Sequence, residues 1–222
     1  MLLSQNKKMK KSSQNGIHVW NFGIPAFQSK SGLKTCPNAT ACVSGCYARM
    51  GAYAWSNVAQ AYEARLAATQ SPDFVTIISA EIQAKLKRLK GSDRLVIRVH
   101  DSGDFYSADY QLTWYRVASL FPTVQFYAYT KMISQSKSIE SSRPVNFRLC
   151  FSMGGREDSL IESANDMHAR VFESLEALVD AKYADASHDD LVTALGDSNK
   201  IGLVYHGVKS YTNTTWNKVK AG

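Results

Sequence analysis

Three cysteines, Cys36, Cys42 and Cys46, stand in the stretch Lys34-Thr-Cys-Pro-Asn-Ala-Thr-Ala-Cys-Val-Ser-Gly-Cys-Tyr-Ala48, with the spacing C-x5-C-x3-C. Thiolates grouped this closely suit soft or borderline metals, either zinc or the iron of a sulfide cluster. Pro37, Asn38 and Gly45 favour a turning backbone that can aim several sulfurs at one centre. Structural zinc sites usually draw on close cysteine pairs, whereas these gaps are unequal and no second pair follows. A 4Fe-4S cluster with a distant fourth ligand therefore fits better, with zinc as runner-up. Cys150 is the one remaining cysteine, in Phe147-Arg-Leu-Cys-Phe-Ser152. The two-residue period of a strand puts Arg148, Cys150 and Ser152 on one face and Phe147, Leu149 and Phe151 on the other. Cys150 is the expected fourth ligand; the alternative is a small buried apolar residue.

A second group of polar residues closes the run Arg94-Leu-Val-Ile-Arg-Val-His-Asp-Ser-Gly-Asp-Phe105. His100, Asp101 and Asp104 at a strand's C-terminal end are candidate catalytic groups, able to move protons or hold a polar substrate. Ordinary turn chemistry also accounts for Gly103 and for one or two of the acids, though it does not require the histidine. Met153-Gly-Gly-Arg-Glu-Asp158 has the form of a small anion-receiving turn or a plain tight turn. His206 falls at the end of the last strand-like run. The chain has no P-loop, dinucleotide fingerprint or nucleophile elbow.

The elements that must carry these groups are legible as short apolar runs at Ile17 to Phe22, Leu95 to His100, Val124 to Tyr129, Phe147 to Phe151, Ala169 to Phe172 and Ile201 to Tyr205. Helical spacing appears between them over Asn57 to Thr69, about 73 to 89, and about Ala108 to Leu120, where Ser107 is the expected cap. Strands alternating with helices indicate βα units and a parallel sheet. The expected fold class is α/β, either a doubly wound sheet or an open or partial parallel barrel. In both, functional groups gather at the C-terminal ends of the strands. Residues 1–15 are polar and basic and read as a disordered arm, leaving 16–222 as a single domain.

The 222 residues carry a formal charge of +7, part of it in Lys7, Lys8, Lys10 and Lys11 and part in Lys85, Lys87, Arg88 and Lys90. Such a balance suits phosphates or an acidic partner, so nucleic acid is a possible partner, but it equally describes a solvated surface. The start, Met1-Leu-Leu3 followed at once by a basic run, lacks the apolar core of a secretory signal. No segment approaches the ~20 apolar residues of a membrane helix. The expectation is a cytoplasmic protein without membrane contact, whose cysteines are metal ligands or free thiols rather than a disulfide framework. A redox or protein partner would then be needed, and the sequence does not identify it.

Two segments carry a family resemblance. Thr35-Cys-Pro-Asn-Ala-Thr-Ala-Cys42 and His100-Asp-Ser-Gly-Asp-Phe105 resemble the T-C-P-x-A-x-x-C loop and the H-x-S-G-D-F strand end of phage-encoded gene-product-88-like proteins. The resemblance implies a phage protein and the cytoplasm of an infected host. A more distant likeness is to radical S-adenosylmethionine enzymes, which place three cluster cysteines after the first strand of a six-stranded partial (β/α)6 TIM-like barrel, often with an aromatic residue beside the last, as Tyr47 adjoins Cys46 here. The C-x3-C-x2-C spacing of those enzymes is absent. This likeness implies the barrel and the cluster. The roles expected from the residues are redox, sensing or structural for a four-thiolate cluster, or an enzyme if one iron stays open beside His100, Asp101 and Asp104. A zinc-stabilised nucleic-acid-binding protein is the further alternative.

Overall fold

A computed structural model describes residues 1–205. Its strands are β1 (Ile17–Phe22), β2 (Arg94–Val99), β3 (Gln125–Thr130), β4 (Phe147–Ser152), β5 (His168–Phe172), β6 (Ala184–Asp185) and β7 (Lys200–Val204). The helices are α1 (Lys7–Ser12), α2 (Ser56–Thr69), α3 (Phe74–Leu86), α4 (Ala108–Leu120), α5 (Ile133–Ser138), α6 (Leu175–Asp180) and α7 (Leu191–Leu195). All the strands run parallel in a single curled sheet, a half-barrel, in the order β1-β2-β3-β4-β5-β7-β6.

Alternation along the strands produces two cores. Phe22, Leu95, Ile97, Val99, Phe126, Ala128, Phe147 and Leu149 face outward and are covered by Phe74, Ile78 and Ile82 of α3 and by Trp114, Val117 and Ala118 of α4. Val19, Val96 and Tyr127 face the concave side, where Met9 of α1 and Ala194 of α7 cover them. Because both faces are covered, the strands read as near-continuous apolar runs. The helix α4 starts where expected, with Ser107 Oγ accepting the Tyr110 amide at 3.2 Å.

Two expectations need correction. The simple (β/α)6 arrangement is not found, since β7 lies between β5 and the two-residue β6, and no α-helix joins β4 to β5. Residues 1–15 are not a disordered arm. Ser4 bridges Asn21 at the edge of β1, and the Leu2 and Leu3 amides donate to Glu81 at 2.5 and 2.9 Å. Leu3 and Met9 are fully buried, which repays the ordering of a segment that is otherwise polar. Lys7, Lys10 and Lys11 stay on the solvent side of α1, whereas Lys8 turns inward onto Asp190 at 2.6 Å. The anion of the Gly154-Gly155 turn is supplied internally, for Asp158 accepts both glycine amides, at 2.7 and 2.9 Å. His206 lies outside the described residues.

Candidate functional site

The cysteine loop leaves the C-terminal end of β1 and is held at its first turn. Thr35 is buried, donates its hydroxyl to the Pro25 carbonyl at 2.6 Å, and accepts the Asp104 amide on its own carbonyl at 2.8 Å. Beyond Cys36, Asn38 donates to the Lys131 carbonyl (3.2 Å) and Thr40 to the Gly154 carbonyl (3.0 Å), while Ala39 bridges Gly155. The Met153-Gly154-Gly155 turn is therefore an abutment for the loop, and Asp158 braces it.

Past Thr40 the chain runs through three 3-10 turns, Ala41–Val43, Tyr47–Arg49 and Gly51–Ala54. The second anchor is Tyr47. Its ring is 56% exposed, yet its hydroxyl reaches inward and donates to the Asp101 carbonyl. Burial of that hydroxyl pushes its pKa up to about 12, with Arg98 opposing the shift and Asp101 adding to it. The loop is thus tied at both ends across the mouth of the half-barrel, and its cysteines lie between the ties.

Burial raises the Cys36 thiol to about 12, and the Asp104 carboxylate, Cys46 and Cys42 push in the same direction. The Phe27 amide opposes them by donating to Cys36 Sγ at 3.3 Å. Burial raises Cys46 as well, with Cys42 adding to it, while the Ala48 amide, Arg49 and Lys131 pull it down. Among the described residues no three His, Cys, Asp or Glu side chains form a group able to hold a metal ion as they stand.

Cys150 is elsewhere. It is fully buried on the concave face of β4 against Ala169, Ala186 and Ile201, with Tyr129 and Val192 beside it. Burial raises its thiol pKa, Asp190 adds to this, and Arg148, Arg98 and Lys131 oppose it. The structure does not bring the expected fourth ligand to the other three. A free cysteine packed among small apolar side chains is the outcome.

The strand-end triad also divides. His100 has a φ of +67° and a ring packed between Phe22, Phe105 and Tyr110, with Nε2 2.9 Å from the Tyr110 hydroxyl. Burial, with Arg98 nearby, lowers its pKa to about 3, so the ring is neutral. Asp101 turns to the mouth, where its carboxylate accepts Asn6 Nδ2 (3.0 Å), Tyr53 (3.1 Å) and Tyr62 (3.0 Å). Gly23 makes room for it: a Cβ there would stand 2.1 Å from Asp101 Oδ1. Asp104 accepts the Phe105 amide (2.8 Å), the Thr130 hydroxyl (2.7 Å) and the Lys131 amide (2.8 Å), clasping the end of β2 to that of β3. Gly103, at φ +80°, completes the turn, and Ile24 occupies the space its Cβ would need. The three candidate side chains share no hydrogen-bond partner, and each has a structural task.

A family model described as Gene product 88 matches residues 1–220. The chain belongs to the gene product 88 family. Relatives are the Gene 88 protein of Mycobacterium phage L5, 34% identical over 139 residues, and that of Mycobacterium phage D29, 32% identical over 137. Each alignment covers 60% of this chain and 56% or 55% of the relative, so the chain spans just over half the length of those proteins. No solved structure matches. None of these comparisons supports the likeness to radical enzymes. No helix among the described residues of this gene product 88 protein is long and apolar enough to cross a membrane.

Several residues of this family member's site escaped the sequence reading. Arg98, in the middle of an apolar strand, was the available signal for the concave-face network, in which it meets Asp190 at 2.7 Å. Lys131, one residue past β3, was the signal for a buried charge under the loop. Tyr53, Tyr62 and Asn6 gave none, because their meeting at Asp101 depends on the fold.

Proposed function

We propose that this phage protein carries an iron–sulfur cluster on Cys36, Cys42 and Cys46, in a redox or sensing role within the infected host cell. The observation that supports the reading is the presence of three cysteines on one loop, tied at Thr35–Thr40 and at Tyr47, across the C-terminal mouth of a parallel half-barrel. Functional groups of such sheets collect at this end. Thiols are the donors that iron–sulfur clusters use, Cys36 and Cys46 already receive backbone N–H groups, and hydrogen bonds to thiolates help set the potential of such clusters. Ligation draws the three sulfurs together and displaces the thiol protons, so folding of the loop and metal uptake are linked. A bound cluster would supply one-electron chemistry, with its fourth iron not held by cysteine. Cys150 stays in its apolar niche, so the four-thiolate arrangement is set aside.

The test is iron, sulfide and zinc analysis of protein purified without oxygen, with its absorption spectrum. Iron and acid-labile sulfide with the broad visible absorption of such clusters support the reading. Stoichiometric zinc without sulfide would replace it with a structural zinc site, and no metal at all would remove it.

A further inference from the structure

The flank of the sheet between β4 and β5 is built differently from the rest. β4 pairs with β3 through five residues but with β5 through two, Phe151 with His168 and Ser152 with Ala169. No α-helix connects β4 to β5. A cavity of about 530 Å³ opens there, toward the N-terminal ends of β5 and β7, and its size is that of small-molecule sites. Leu149, Phe151 and Met167 form its apolar side, the first two buried. Two acid–base pairs on its lining are closed: Lys137 Nζ meets Asp166 Oδ2 at 2.9 Å, and Arg143 Nε meets Glu140 Oε1 at 2.9 Å. A third is open. Arg148, half-buried, and Asp197, exposed, line the same cavity, yet among the described residues neither forms an ion pair. The segment that carries Asp197 is held by its neighbours. Ser198 donates its hydroxyl to the Lys200 carbonyl at 3.0 Å, and Asn199 its side-chain amide to the Ala164 carbonyl at 3.1 Å. A guanidinium and a carboxylate, each without an ionic partner, are thus presented beside an apolar wall.

We propose that this cavity binds a small zwitterion, an amino acid or dipeptide with apolar side chains. Arg148 takes the carboxylate, for which its planar fork is suited. Asp197 takes the ammonium. The apolar side chain lies against Leu149, Phe151 and Met167, where its burial supplies affinity while the two charges supply orientation. Both charges are matched only by a ligand that carries both signs. An anion alone would be repelled by Asp197, a cation alone by Arg148, and a purely apolar ligand would desolvate the guanidinium without pairing it. Lys137 and Arg143, already neutralised by their own acids, do not compete for the carboxylate. No loop cysteine lines the cavity, so this binding does not depend on the iron–sulfur reading.

The experiment is isothermal titration calorimetry of the full chain with L-phenylalanine and with L-leucyl-L-phenylalanine. N-acetyl-L-phenylalanine, which lacks the ammonium, and L-phenylalanine amide, which lacks the carboxylate, are the controls. Saturable binding of at least one zwitterion is expected, with both blocked forms weaker by about tenfold or more, the effect of losing one charge-assisted hydrogen bond. Arg148→Gln and Asp197→Asn should each weaken the zwitterion by a similar factor. Asp197 is exposed, so Asp197→Asn carries the comparison should Arg148→Gln fail to fold. No saturable binding of either zwitterion overturns the proposal. Equal binding of the blocked forms also overturns it, since the cavity would then select only for apolar bulk. So does unchanged affinity in Asp197→Asn, which would leave no role for the second charge.

Discussion

The concave face of the half-barrel and its mouth are both rich in polar groups, but they are satisfied in different ways. On the concave face Asp190 accepts Lys8 at 2.6 Å, Arg98 at 2.7 Å and the hydroxyls of Tyr127 and Tyr129 at 2.9 and 3.3 Å. Burial works against its charge, yet Arg98 and Lys8 hold its carboxyl below the usual range. The Asp190 amide donates to Ser12 Oγ at 3.0 Å, so the network fastens α1 and α7 into the hollow of the sheet. At the mouth the thiols are pushed toward their neutral forms and a lysine is buried without an acid. A saturated network reads as architecture. An unbalanced one reads as a place prepared for something else.

The largest effect should come from breaking the saturated side. Asp190→Ala leaves Lys8 and Arg98 buried without their shared anion, a change that typically costs ~3–5 kcal/mol. Urea unfolding checks it, and a loss within about 0.5 kcal/mol, the range of ordinary surface substitutions, would make the network ornamental. Next is pH. His100 has a folded pKa of about 3, below the unfolded value, so its contribution to stability is complete above the unfolded pKa and is lost as pH falls toward 3. The expected loss is on the order of a few kcal/mol between about pH 6.5 and 3. His100→Asn, a residue that tolerates positive φ, should flatten that part of the profile.

Gly23→Ala sharpens the comparison at the border of the two regions. The added Cβ meets Asp101 Oδ1 at 2.1 Å and Tyr62 Cε1 at 2.6 Å, so the carboxylate must leave its tyrosines. Overpacking of this kind costs about 1–3 kcal/mol. Thermal unfolding should register it, together with faster alkylation of the loop cysteines as the Tyr47 tie loosens. The smallest effect belongs to Cys150→Ala, a one-atom truncation among small side chains, at roughly 1 kcal/mol or less. Its metal content should not change.

Much of the scaffold was legible because its strands are covered on both faces. Residues such as Val96, Ile97 and Val99 give apolar runs that only a buried parallel strand explains. The short elements were not legible. The helices α5, α6 and α7 have five or six residues, and β6 has two, too few for a periodic signal. The N-terminal segment misled because four lysines outweighed Leu2, Leu3 and Met9, and nothing near Lys8 in sequence announces Asp190. At the site, the loop cysteines and the strand-end turn were visible as residue types. Their grouping was not, since alternation places Cys150 on the concave face correctly but says nothing of its distance from the loop.

The most direct measurement is iron per chain in anaerobically purified wild type, Cys36→Ala, Cys42→Ala, Cys46→Ala and Cys150→Ala. Iron and sulfide should be lost from each loop variant and retained in Cys150→Ala. Retention in all three loop variants, or loss in Cys150→Ala alone, would contradict a cluster seated at the mouth of the half-barrel.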